Sequence, residues 1–191
     1  MYPLSPLQQG MLFHHLSEPG SGVDIEQMVC TLHEPIEGEK LRVAWERVVA
    51  RHAILRTRFA WEGREQPMQQ VLAAVAVEFV AEDWRAHAAT AQAERLQAFL
   101  KADRVRGFDM NRAPMLRLAL FRVAEVEYQL IWTFHHALLD GRSFPIVLNE
   151  VFAFYEAALR GESIDPPPPR AYGDYIAWLQ ELDAAKAEKF W

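Results

Sequence analysis

Three side chains stand out as able to do chemistry: His135, His136 and Asp140, in the run Phe134-His135-His136-Ala137-Leu138-Leu139-Asp140-Gly141-Arg142-Ser143. An imidazole moves protons near neutral pH, a carboxylate can brace a turn or a cation, and a glycine lets another group come close to the backbone. The run sits where the apolar segment Glu127 to His135 must break before a helix, and loops at strand ends are where sites collect. Strand alternation places Tyr128, Leu130, Trp132, Phe134 and His136 on one face, and Gln129, Ile131, Thr133 and His135 on the other. Adjacent histidines on opposite faces have different jobs. His135 is assigned to holding the backbone and His136 to the chemistry. The same geometry argues against both ligating one metal ion, and no third-ligand motif stands out, so no metal is expected. Asp140 is read as architecture, paired with an arginine across the turn, with Gly141 allowing close approach. Arg56 and Arg58 share one strand face, opposite Leu55, Thr57 and Phe59; either is a candidate partner for Asp140, and both are read as structural.

The elements that must hold these groups follow from periodicity. Ser5 to Leu16 is expected to be a short amphipathic helix, with Pro6 in its first turn and Leu7, Met11, Leu12 and Leu16 as its stripe. Glu26 to His33 reads as a strand. Leu41, Ala44, Trp45, Val48, Val49 and His52 recur at helical spacing, followed by a period-two run through Leu55, Thr57, Phe59 and Trp61. Strand-like pieces are expected around Gln69 to Leu72 and Val75 to Val80, and an Ala-rich helix over about 88–104. Pro114 to Val123 and Glu127 to His135 form a hairpin around Ala124-Glu125-Val126. A helix runs from Ser143 or Phe144 to Leu159, with Ser143 as cap, Phe144, Val147, Leu148, Val151 and Tyr155 as its stripe, and Gly161 beyond its end. A Pro-rich spacer over 164–170 precedes a last helix, Tyr172 to Lys189, before Phe190-Trp191. Interleaved strands and helices without strict alternation favour a mixed sheet with helices packed on it. Trp45 and Trp132 lie on apolar faces and are read as core.

Composition narrows the functional classes. With 191 residues, 51% apolar and 12% aromatic, the chain can bury one substantial core. Its net charge is -6, and its Lys and Arg residues are interspersed with acids, which argues against nucleic acid as a partner. The single cysteine, Cys30, permits no internal disulfide and no CxxC site. The opening Met1 to Pro6 has no basic segment leading into an apolar core, and no apolar run nears the roughly 20 residues that cross a bilayer. A cytoplasmic protein without membrane contact is the expectation.

HHxxxDG at a strand end resembles the signature of the condensation-domain and chloramphenicol acetyltransferase superfamily. Further stretches occur in the same order as in that family. Leu4-Ser5-Pro6-Leu7-Gln8-Gln9-Gly10-Met11-Leu12-Phe13-His14 resembles its opening motif, and Arg51-His52-Ala53-Ile54-Leu55-Arg56-Thr57-Arg58-Phe59 its RHxxLRTxF motif. Gly107-Phe108-Asp109 with Pro114-Met115-Leu116-Arg117 resembles the segment before the histidine strand. Tyr172-Gly173-Asp174-Tyr175-Ile176-Ala177-Trp178 resembles its YxDYxxW element, so the likeness spans essentially the whole chain.

The resemblance implies an α/β (α+β) fold, a chloramphenicol acetyltransferase-like two-layer sandwich with a mixed sheet packed with helices. It further implies that residues 1–191 are the N-terminal lobe of a two-lobed condensation domain whose second lobe is absent. The reaction implied is amide bond formation between acyl or peptidyl and aminoacyl thioesters on donor and acceptor peptidyl carrier proteins. Both substrates ride on 4'-phosphopantetheine, with no cofactor on the domain itself, and the missing lobe and adjacent synthetase domains are the other partners. By this resemblance His136 is catalytic, with His135, Asp140, Gly141, Arg56 and Arg58 supporting it, and one lobe alone is expected to be nearly inactive. Rival readings are an epimerization-type domain, a catalytically silent carrier-docking domain, and a freestanding acetyltransferase using coenzyme A. His14-His15 partly matches an extra HH motif of dual condensation and epimerization domains, but the Gly-Asp pair that follows there is not matched.

Overall fold

The computed structural model describes residues 1–182. In chain order these form β1 (Tyr2–Pro3), α1 (Pro6–Ser17), β2 (Ile25–Leu32), α2 (Gly38–Arg51), a 3-10 turn (Ala53–Arg56), β3 (Thr57–Ala60), β4 (Met68–Val71), β5 (Glu78–Asp83), α3 (Ala89–Arg106), β6 (Leu116–Ala124), β7 (Glu127–His135), α4 (Ser143–Leu159) and α5 (Tyr172–Glu181). Of the final helix expected over 172–189, the part beyond residue 182 lies outside the described residues, as do Phe190 and Trp191.

The strands make a mixed four-stranded sheet, order β2-β7-β6-β5, and a small antiparallel sheet, order β1-β4-β3. In the larger sheet β7 is antiparallel to both β2 and β6, and β5 pairs parallel with β6. The hairpin β6–β7 is central because its residues are apolar on both faces. Leu116, Leu118, Leu120, Tyr128, Leu130, Trp132 and Phe134 join the main core with α2 and α4, while Ala119, Phe121 and Ile131 meet Trp84 and α3 on the opposite face. Indole rings of Trp45 and Trp132 lie 4.9 Å apart and Trp132 sits 4.6 Å from Phe134, so both tryptophans are core. Pairs of this kind add about 0.5–1.5 kcal/mol each beyond area burial.

Three elements depart from the sequence reading: the period-two run expected from Leu55 begins only at Thr57, because Ala53–Arg56 form a 3-10 turn, and α1 and β5 differ as follows. Helix α1 buries Gln8, Met11 and Leu12, leaving Leu7 at 67% and Leu16 at 48% exposure. Ser5 and Gln8 form a reciprocal capping box, and Gln8 also bonds inward to Gln69, which turns the expected leucine stripe partly to the surface. Strand β5 begins three residues later than the valine-rich stretch suggests. Val75 and Val77 pack on the core as irregular chain, and pairing with β6 starts at Glu78↔Arg117. Its charges suit a sheet edge.

The Pro-rich spacer is tied to the fold. Arg51 donates to the carbonyls of Pro166 (2.9 Å) and Pro167, and to Glu150 of α4 (2.9 Å). His52 meets the same carboxylate at 2.8 Å, so the first two residues of the RHxxLRTxF run lock α2, α4 and the spacer together.

Candidate functional site

At the end of β7 the two histidines face apart, as strand alternation requires. His135 is 2% exposed, and its Nδ1 accepts the Ala137 amide at 3.2 Å, which leaves the ring proton on Nε2. Burial, helped by the nearby His15 and His136, pushes its pKa down to about 4. A neutral buried histidine gives a testable pH dependence. Between about 4 and 6.5 the unfolded chain binds a proton that the folded chain refuses, so stability rises with pH across that window and is complete above it. Urea unfolding is expected to weaken by up to about 3 kcal/mol as pH falls through this range, and His135→Gln to remove most of that slope.

His136 is half-buried and lines the opposite opening, a cleft of about 420 Å³ whose walls include Leu7 and Gln8 of α1, Asp140, Ser143, and Tyr172 and Tyr175 of α5. Its backbone is fixed by donation from the His136 amide to the Asp24 carbonyl at 2.8 Å, which extends the β2–β7 pairing by one residue. Nδ1 is sealed from solvent and has no hydrogen-bond partner among the described residues, so Nε2 is the ring nitrogen left open to a substrate.

The supporting residues fall out differently from the sequence reading. Among the described residues Asp140 does not pair with an arginine. Its Oδ1 accepts from Ser143 Oγ (2.6 Å), the Ser143 amide (2.9 Å) and the Arg142 amide (3.2 Å), capping the start of α4. The Ser143 hydroxyl, with these amides, holds the Asp140 carboxyl below its usual range. Ser143 is thus the first helical residue and Arg142 the N-cap position, with the Asp140 carboxylate serving the amides of both from before the helix. Asp140→Ala is expected to destabilise by about 0.5–2 kcal/mol, with Asp140→Asn recovering most of it in thermal unfolding. Arg56 instead donates to the carbonyls of Leu72 and Ala73, and Arg58 to Gln70 Oε1 at 2.8 and 3.0 Å. Arg58, on β3, pairs with Gln70 of β4, while Arg56, the last residue of the 3-10 turn, ties that turn to the chain just after β4. A Cβ on Gly141 would meet nothing within 4 Å, so no close approach occurs there among the described residues.

Sequence reasoning missed two contributors. Gln8 Nε2 donates to the Ala137 carbonyl at 3.1 Å, so the residue after His136 is held at its carbonyl by Gln8 and at its amide by His135. The Ser5-x-x-Gln8 spacing was the available signal, since it marks a capping box. The Asp24 carbonyl carries no side-chain signature and was illegible.

The family profile described as Condensation domain matches residues 1–191. The chain belongs to the condensation-domain family. It is 46% identical over 191 residues to a linear gramicidin synthase of Brevibacillus parabrevis and 35% to bacitracin synthase 1 of Bacillus licheniformis, covering all of this chain and 4% of each relative. It superimposes on the starter condensation domain of rhizomide synthetase RzmA with a TM-score of 0.86 at 21% identity, covering all of this chain and 48% of that one. The first condensation domain of the calcium-dependent antibiotic synthetase gives 0.79 at 18% identity, over 87% and 40%. These likenesses establish the expected chloramphenicol acetyltransferase-like fold. The chain spans about half of the solved condensation domains and a small part of the synthases.

Proposed function

We propose that this chain is the histidine-bearing half of a condensation domain that joins a donor acyl or peptidyl thioester to the amine of an acceptor aminoacyl thioester. Both substrates are delivered on 4'-phosphopantetheine by carrier proteins, and the domain holds no cofactor of its own. The observation that carries the reading is His136, second histidine of the HHxxxDG run, on the wall of the cleft between α1 and α5, with Nδ1 sealed off and Nε2 the ring nitrogen left open. His135, Asp140 and Gln8 support it by fixing the backbone and the turn around it. Arg56 and Arg58 support it by holding β4 and the chain that follows.

A thioester is already activated, so the protein has chiefly to align the amine and manage its proton. The amine nitrogen attacks the thioester carbonyl, the C–S bond breaks as the tetrahedral species collapses, and the proton shed by the nitrogen ends on the departing sulfur. His136 Nε2 is placed either to carry that proton or to orient the amine. A second half, matching the part of the solved domains that this chain does not span, closes the cleft and excludes water.

The test is amide transfer between a loaded donor carrier and an aminoacyl acceptor carrier, followed by intact mass. This chain alone is compared with the whole condensation domain. Product from the whole domain and almost none from the chain alone supports the reading. Equal product from the chain alone overturns the need for a second half. A whole domain that binds carriers and transfers nothing overturns the enzymatic reading in favour of docking.

A further inference from the structure

We propose that Arg104, in the last turn of α3, is a positioning residue for His136. The proposal rests on the reading of His136 as the reacting side chain. The link runs through the turn Gly22-Val23-Asp24-Ile25 that leads into β2. The turn is closed by donation from the Ile25 amide to the Gly22 carbonyl at 3.2 Å. Arg104 Nη1 then bridges the same two residues from outside, donating to the Gly22 carbonyl at 3.1 Å and to the Ile25 carbonyl at 2.6 Å. Asp24 lies inside this clip, and its carbonyl is the one that accepts the His136 amide at 2.8 Å. One guanidinium therefore fixes the orientation of the peptide that holds the reacting residue.

Two features make the arrangement specific to these residues. Gly22 has φ +66°, a conformation costly for other residues, and a Cβ there would lie 3.1 Å from Arg104 Cγ. Arg104 forms no ion pair among the described residues, so its donors are not drawn elsewhere. A planar guanidinium nitrogen with two N–H groups can serve two carbonyls at once, which suits arginine better than an aliphatic side chain. Asp103, next in sequence, anchors the same helical turn to Arg117 of β6, so the clip is held on a rigid base.

The experiment uses the whole parent condensation domain with its carrier proteins. In Arg104→Met, hydrogen exchange at the His136 amide accelerates while amides in the middle of the β6–β7 hairpin keep their protection. The turnover number falls about tenfold with KM for both carrier-bound substrates within about twofold, because loss of alignment acts on the chemical step. Arg104→Lys recovers part of the rate, and Gly22→Ala, which attacks the clip from the other side, reproduces the loss. An Arg104→Met protein that unfolds at the same temperature, exchanges at His136 as slowly as the parent and turns over equally fast overturns the proposal. Faster exchange in Arg104→Met beside full activity in His136→Ala supports the clip and overturns the catalytic reading instead.

Discussion

Replacing His136 with alanine in the whole condensation domain is expected to lower amide formation roughly a hundred- to ten-thousandfold if the imidazole moves the proton of the attacking amine. Binding of the two carriers should survive, since the lost group sits inside the cleft and not on an outer surface. Stability should survive as well. The buried Nδ1 of His136 has no partner among the described residues, so the substitution breaks no side-chain hydrogen bond there and leaves no donor stranded. Single-turnover rates with pre-loaded carriers, measured across pH, separate the two roles left open. A proton carrier shows an inflection in the wild-type rate that disappears in the variant. An orienting group gives a smaller loss that His136→Asn partly restores. An alanine variant with unchanged turnover would remove His136 from the mechanism.

The parts of this site legible in the sequence were those encoded in a single periodic element. Alternation along β7 was enough to separate His135 from His136, because the strand is regular to its last residue and the side-chain period is two. The apolar stripe of α2 was equally legible, since Leu41, Ala44, Trp45, Val48 and Val49 are all buried. Contacts between elements distant in sequence were not. The sequence reads as period two from Leu55 onward, yet Ala53–Arg56 form a 3-10 turn and only Arg58 lies on β3, and nothing local says that β3 pairs with β4 in a separate sheet, where both arginines find neutral acceptors instead of Asp140. Asp140 was assigned a cation when three donors within three residues were available, and short-range donors at a helix start cost far less ordering entropy than a distant side chain. The backbone clip at residues 22–25 depends on carbonyls, which every residue has, so no residue type announces it.

Removing Arg117 is expected to destabilise the domain by about 3–5 kcal/mol, the usual loss when one member of a buried ion pair is deleted. The side chains of Arg117 and Asp103 are only 9% and 7% exposed, and Arg117 Nε donates to Asp103 Oδ1 at 2.7 Å. The guanidinium also donates to the carbonyls of Gly107 (2.6 Å) and Asp103 (2.9 Å), and lies 4.0 Å from the centroid of the Phe108 ring. Gln27 of β2 donates to the other oxygen of Asp103 at 3.3 Å. Arg117→Met keeps much of the packing volume but leaves the Asp103 carboxylate buried with only that weak neutral donor. Desolvation of an unpaired charge then decides the outcome, more than the lost attraction. The double variant Asp103→Leu/Arg117→Met removes both charges and should recover most of the deficit in urea unfolding at pH 7. A loss near about 1 kcal/mol for Arg117→Met alone would mean that water reaches Asp103. In that case the last turn of α3, the base on which the Arg104 clip and so the His136 backbone depend, would be held by apolar packing instead of by this pair.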